Sequence, residues 1–128
     1  MTLRLPSAVV SLLALLAAAV APAPASALVH CTPAASWGTV ARDDAREVLR
    51  LVNEHRAGLG LAPLALDGDL QRAAEWKSLH MARYGYFDHD DPAPPVARGP
   101  FQRFADCGYD DGGARAENIA AGQATPAG

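Results

Sequence analysis

At 128 residues, the chain is long enough for one domain. Its 11 Lys and Arg residues against 14 Asp and Glu residues give a formal net charge of −3, and no basic cluster occurs. Nucleic-acid surfaces need clustered Lys and Arg to offset phosphate charge, so this composition argues against a nucleic-acid-binding protein.

The first 27 residues have the pattern of a secretory signal peptide. Arg4 precedes an apolar stretch over residues 8–20, and Ala25-Ser26-Ala27 is the small-x-small pattern that signal peptidase cleaves. The stretch is too short for a membrane-spanning helix. We therefore expect cleavage after Ala27, a secreted, extracellular protein and no stable membrane anchor after cleavage. The remaining chain has 10 basic and 14 acidic residues, a net charge of −4.

Residues 28–42 precede the first predicted helix. They lack a clear hydrophobic period, so we expect them to form an N-terminal arm. Asp43 and Asp44 suit the start of a helix, where carboxylates favour the positive end of its dipole. Four residues then recur at helical spacing and predict one face of a helix: Val48, Leu51, Val52 and His55. This helix is expected over residues 43–57, ending at Gly58.

A second helix is predicted after an apolar connector at residues 61–66. Asp67 is a suitable N-cap and Gly85 a suitable stop. The residues at helical spacing between them are mostly apolar: Leu70, Ala73, Ala74, Lys77, Met81 and Tyr84. Lys77 is the exception, and we expect its stem to follow the apolar face while its ammonium group reaches water.

A proline-rich loop and a short helix follow. Residues 90–99 hold three prolines, which exclude a helix or a central strand there. Pro100 suits a first helical position, and Phe101 and Phe104 at i, i+3 predict a short helix that packs inward and ends at Gly108.

The last predicted element is a strand over residues 114–121. Strand side chains alternate between two faces, so Glu117 and Ile119 would share one face. No internal repeat is present in the chain.

The two cysteines, Cys31 and Cys107, are the only possible intramolecular disulfide pair. Export would permit the bond, and closing this loop would contribute about 4 kcal/mol if unstrained. Two free, partly buried thiols are the alternative, because the sequence does not fix the distance between them.

Six blocks between Val48 and Gly128 occur in a characteristic order. They are Leu51-Val52-Asn53-Glu54-His55-Arg56 with Gly58-Leu59-Gly60-Leu61-Ala62-Pro63-Leu64, Leu70 to Ala82, Phe87-Asp88-His89, Pro100-Phe101, Cys107-Gly108-Tyr109 and Glu117-Asn118-Ile119-Ala120. No single block is specific, but their order and spacing together resemble the bacterial form of the CAP superfamily, also called the SCP-like extracellular domain.

The resemblance implies an α/β fold, a three-layer α-β-α sandwich. It also implies a cleft with two histidines and one or two acidic residues, which bind a divalent metal in several members. His89 corresponds to the first histidine and Glu117 to the first acid. The second histidine belongs to a Gly-His motif further along the chain, for which residues up to Gly128 offer no counterpart. We therefore expect residues 43–128 to form a partial domain, truncated before that motif.

The cleft pair supports only a weak metal site. Imidazole and carboxylate both suit Zn²⁺, but a catalytic zinc site has three protein ligands and a structural one has four. His89 and Glu117 alone would hold a divalent cation such as zinc weakly. Serine or cysteine hydrolysis is not favoured either. Ser78 lies in the middle of a predicted helix and Ser36 in the arm, and no residue beside Cys107 in the sequence would activate it.

The resulting functional prediction is a secreted, non-enzymatic binding module. Its partner would be a small apolar molecule such as a lipid, a cell-envelope component or another protein, and His89 and Glu117 would lie in its binding cleft. Two alternatives remain at this point: a metal-dependent, peptidase-like hydrolase whose site is incomplete here, and a fragment without a function of its own.

Overall fold

The structure is a computed structural model that describes residues 27–110 and 112–127. Within these ranges it contains helices α1 (Arg42–Gly58), α2 (Gly68–Tyr84) and α3 (Pro100–Asp106), with short 3-10 turns at Ala27–Cys31 and Ala35–Trp37. The predicted signal peptide lies outside the described residues except for Ala27. No helix of the described part is long and apolar enough to cross a membrane.

The predicted helix boundaries are confirmed because they depend on local chemistry. Asp67 caps α2, with its Oδ1 accepting from the backbone N–H groups of Asp69 and Leu70 at 2.9 Å each. Gly85 ends α2 in the left-handed region at φ 68°, which favours glycine. Pro100 occupies the first position of α3.

Helix α1 forms as predicted, but the residues that the structure describes leave much of its apolar face exposed. No residue of α1 is buried, and Val48 and Val52 are 47% and 39% exposed. An ion pair at 3.1 Å joins Arg42 to Glu75 of α2. The side chain of Asn53 hydrogen-bonds both backbone groups of Leu64, which holds the connector against α1.

The core lies between α2, α3 and the N-terminal arm. Ala73 and Phe104 pack with the buried pair Cys31 and Cys107, which form a disulfide with a Cα–Cα distance of 5.3 Å. The disulfide prediction is thus confirmed, and the bond fixes the arm to the end of α3. Trp37 extends this packing by contacting Trp76 edge-on.

The predicted α/β class is wrong for the described residues, which contain three helices and no sheet. Their one β-bridge joins Asp91 to Arg98 in the proline-rich loop. The segment predicted as a strand, residues 114–121, does not pair with any other described segment. The physical reason is that a strand needs a hydrogen-bonding neighbour as well as an alternating sequence, and the described residues supply no neighbour for this segment.

Candidate functional site

The structure brings His89 and Glu117 together, although 28 residues separate them. His89 Nδ1 lies 2.9 Å from Glu117 Oε1. A carboxylate only accepts hydrogen bonds, so Nδ1 carries the hydrogen, and in a neutral imidazole Nε2 keeps its lone pair. The His89 side chain is 50% exposed and that of Glu117 only 11%. The pair therefore presents an imidazole at the surface with a carboxylate beneath it.

Arg103 of α3 fixes Glu117 from below. Its Nη2 contacts Glu117 Oε2, and its guanidinium also donates to the His89 carbonyl at 3.4 Å. The Arg103 side chain is wholly buried. Both carboxylate oxygens of Glu117 consequently have partners, one on each side, which fixes the orientation of the carboxylate.

Asp91 anchors this arrangement from the interior. Its buried carboxylate accepts from Arg103 at 2.5 Å and from Lys77 and Arg98 at 3.0 Å each. Burial alone would raise the pKa of Asp91, but these hydrogen bonds, above all that from Arg103, outweigh it and hold the pKa below its ordinary value. Asp91 is therefore the ionised centre of a buried charge cluster formed by Asp91, Lys77, Arg98 and Arg103.

Lys77 does not reach water as the sequence predicted. The residue is only 2% exposed, and its ammonium group donates to the carbonyl oxygens of His89 and Asp90 at 3.1 and 2.9 Å, as well as to Asp91. The snorkelling prediction is wrong because the loop after α2 folds back over the helix and supplies acceptors. Lys77 thereby fixes the backbone that carries His89.

His80 lies three residues after Lys77 in α2 and is wholly buried. Its Nε2 lies 2.9 Å from the Pro94 carbonyl, and its Nδ1 lies 2.6 Å from the Tyr86 hydroxyl. The carbonyl only accepts, so Nε2 carries the hydrogen and Nδ1 accepts from Tyr86. Burial is the main cause that lowers the pKa of His80, and the cations Lys77 and Arg98 add to it. Burial also raises the pKa of Tyr86.

Two depressions lie along α2, and the smaller one borders Glu117. A groove of about 580 Å³ separates α1 from α2 and is lined mainly by small and apolar residues, among them Val48, Leu79, Ala82 and Ala120. A smaller pocket of about 130 Å³ is lined by Glu117, Asn118 and residues of α2. Ala74, Ser78 and Ala120 line both, so the two depressions adjoin.

Sequence reasoning missed Asp91, Arg98 and Arg103. The available signal was Lys77, a cation on the apolar face of a predicted helix, which requires a buried anion if it does not reach water. Arg103 gave a second signal, since it lies between Phe101 and Phe104 in a helix predicted to pack inward. Asp91 itself could not be distinguished from its exposed neighbour Asp90 without the fold.

Comparison with known proteins shows which family the chain resembles. The family model described as "CAP: Cysteine-rich secretory protein family" matches residues 49–128, more than half of the chain. The chain belongs to the CAP family. Uncharacterized protein YkwD of Bacillus subtilis (strain 168) is similar to this CAP-family chain, with 39% identity over 83 residues, which is 63% of the chain and 30% of YkwD. The chain thus spans less than a third of that relative's length. No solved structure matches it significantly.

The residues of this CAP-family chain do not fit a complete metal site. Both carboxylate oxygens of Glu117 already have hydrogen-bond partners, His89 and Arg103. Across residues 27–110 and 112–127, no group of three or more His, Cys, Asp and Glu side chains is placed to hold a metal ion. The geometry instead matches a carboxylate that orients an imidazole. Metal ligation by His89 and Glu117 stays a prediction.

Proposed function

We propose that this CAP-family chain is secreted and acts outside the cell as a non-enzymatic binding module, with His89 as the polar contact to its ligand. The observation that carries the proposal is the hydrogen bond between His89 Nδ1 and Glu117 Oε1. Because Glu117 is itself held by Arg103, the imidazole is oriented before any ligand arrives. Preorganisation of this kind lowers the entropic cost of binding.

The chemistry of the imidazole favours a ligand that donates a hydrogen bond. With Nδ1 committed to Glu117, Nε2 remains as an acceptor for a hydroxyl or an amide N–H. Phe87, two residues earlier in the chain, is 55% exposed and offers an apolar surface. Hydroxyl and amide groups on a partly apolar framework are the chemistry of cell-wall glycopeptide, so our first candidate ligand is a cell-envelope component.

Co-sedimentation of the purified protein with bacterial cell-wall sacculi tests this proposal. We expect the protein to pellet with sacculi and His89→Ala to lose at least tenfold in affinity. His55→Ala is the matched control, because His55 is an exposed histidine on α1. Absence of pelleting, or equal pelleting of both variants, would contradict the proposal.

An apolar small molecule is the second candidate, favoured by the groove of about 580 Å³ between α1 and α2. A fluorescent long-chain fatty acid is a suitable probe. Ala82→Trp would fill the groove and is expected to abolish the fluorescence change. Ala57→Trp on exposed α1 surface should not, because Ala57 does not line the groove. If the probe does not bind the unmodified protein, this candidate is removed while the cell-wall proposal is unaffected.

A further inference from the structure

A directed series of hydrogen bonds links His80 to Lys77 through the Tyr86 hydroxyl. Tyr86 Oη donates to His80 Nδ1 at 2.6 Å and accepts from Lys77 Nζ at 3.2 Å. The other ring nitrogen of His80, Nε2, donates to the Pro94 carbonyl at 2.9 Å. This series requires a neutral His80, because only a neutral imidazole has a nitrogen that accepts a hydrogen bond.

The series continues to the backbone that carries His89. Besides Tyr86, Lys77 Nζ donates to the carbonyl oxygens of His89 and Asp90 at 3.1 and 2.9 Å. With the Asp91 carboxylate at 3.0 Å, the ammonium group has four acceptors for its three N–H groups. The acceptors therefore share one cation, and a change at Tyr86 alters the hydrogen bonds that hold the backbone at His89.

The surroundings of His80 oppose a positive charge on its ring. The titratable and charged side chains around it come from α2 and the segment that follows: Lys77, Tyr84, Tyr86, Asp91 and Arg98. Trp37, which the arm contributes, is uncharged. Burial is the largest cause that lowers the pKa of His80, and the cations Lys77 and Arg98 add to it. Asp91 is the only carboxylate in this set, and three cations already share it.

Protonation of His80 would reverse one hydrogen bond of the series. Both nitrogens of an imidazolium donate, so Nδ1 would donate to Tyr86 Oη instead of accepting from it. The hydroxyl hydrogen of Tyr86 would turn to the Asp91 carboxylate, which interacts with this hydroxyl. Two cations, His80 and Lys77, would then donate to the same Tyr86 oxygen and repel each other. Lys77 would consequently lose its place beneath the loop.

We propose that His80 is a proton switch for the candidate site: its protonation reverses the hydrogen bond with Tyr86 and releases the His89 backbone from Lys77. Tyr86 is the positioning residue that transmits the change. The switch loosens the site while the rest of the fold stays intact. It rests on the proposed function only in treating His89 as the ligand contact, since the change in the loop needs no ligand.

NMR spectroscopy of the full chain tests the switch without a ligand. The ring signals of His80 and the carbonyl carbon of Asp90 are followed from pH 7.5 downward, over the range in which circular dichroism stays native. We expect the Asp90 signal to shift with the same midpoint as the His80 ring. Unfolding before His80 is protonated, or an Asp90 signal that does not follow His80, would overturn the proposal.

Two variants separate the effect of His80 from that of His89. His80→Gln should abolish the shift of the Asp90 carbonyl carbon in mild acid. His89→Gln is the matched control, because it removes the histidine next to Asp90 in the chain and should retain the shift. The reverse result would assign the shift to His89 and refute the switch.

Tyr86→Phe tests the route between His80 and Lys77. The variant removes the hydroxyl and keeps the ring, and Lys77 retains three acceptors for its three N–H groups. We expect the Asp90 shift to fall at least threefold although His80 still titrates. A shift of unchanged size would show that Tyr86 does not transmit the change and would contradict the proposal.

Failure of the switch and failure of the proposed function are distinguishable. Absence of pelleting with sacculi at pH 7.5 would contradict the binding role of His89 and would leave the NMR result unaffected. An Asp90 signal that ignores His80 would refute the switch and would leave binding at pH 7.5 unaffected.

Discussion

Arg103 donates from Nη1 to Oδ1 of Asp91 at 2.5 Å, and both side chains are wholly buried. The same guanidinium contacts Glu117 through Nη2. One arginine therefore connects the interior of the fold to the candidate site at the surface. Disturbing the buried charge cluster should affect stability and the position of His89 together.

Replacing Asp91 by Asn removes the one anion that Lys77, Arg98 and Arg103 share. The variant leaves buried Lys77 without a counter-charge, whereas Arg98 keeps Asp106 and Arg103 keeps Glu117. Breaking a buried ion pair in this way costs about 3–5 kcal/mol, so we expect Asp91→Asn to lower the free energy of unfolding by that amount in urea denaturation. Asp43→Asn is the matched control, because the Asp43 side chain is 96% exposed in its ion pair with Arg46, and such pairs contribute little. Similar stabilities of the two variants would show that the cluster is not a stabilising centre.

The burial of Lys77 predicts an unreactive amine. Lys77 is the one lysine of the chain, so acylation of lysine side chains can be followed by mass spectrometry without ambiguity. We expect the folded protein to resist acylation at Lys77 and the urea-unfolded protein to react fully. A snorkelling lysine would react at similar rates in both states, which would contradict the burial of Lys77 and its hydrogen bonds to the loop that carries His89.

The lowered pKa of His80 predicts that the folded protein loses stability in mild acid. The pKa of His80 in the folded protein lies below the ordinary value of about 6.5, so the unfolded chain binds the proton more readily. The stability it contributes is fully present above pH of about 6.5 and is lost as pH falls through the folded-state pKa. Urea denaturation of the unmodified protein at pH 7.5 and pH 5 should show this loss.

Two variants test whether His80 causes that pH dependence. His80→Gln should be less stable at pH 7.5 because it loses the stacking contact with Trp76, but its stability should change less between the two pH values. His55→Gln replaces an exposed histidine and should retain the original dependence. If His80→Gln kept the full loss in acid, another group would be responsible.

Zinc binding separates the binding-module proposal from a metal-dependent hydrolase. Both carboxylate oxygens of Glu117 already contact His89 and Arg103. We therefore expect calorimetry to detect no zinc binding with a Kd below about 1 mM. Binding at micromolar concentration that disappears in His89→Ala but not in His55→Ala would show that the cleft pair ligates metal, and would favour the hydrolase.

The sequence predicts those structural features that depend only on neighbouring residues, such as the ends of helices. Asp67 and Gly85 define the ends of α2 because their roles involve only the next few residues. The pairing of His89 with Glu117 is suggested by the family resemblance alone, since 28 residues separate them. The prediction for Lys77 is wrong because its acceptors belong to the following loop. Alternation predicts the strand at residues 114–121, but a sheet requires a second segment, and no local pattern reveals whether one is present.

The disulfide between Cys31 and Cys107 has a consequence for when folding can finish. Both sulfurs lie in the core, where Cys31 is 1% and Cys107 0% exposed. Joining two thiols releases two electrons and two protons, so an oxidant is a reactant in completing this core. In a reducing compartment the arm stays unlinked to α3, and the chain is easier to keep unfolded. Completion of this core therefore depends on the redox state of its surroundings as well as on the sequence.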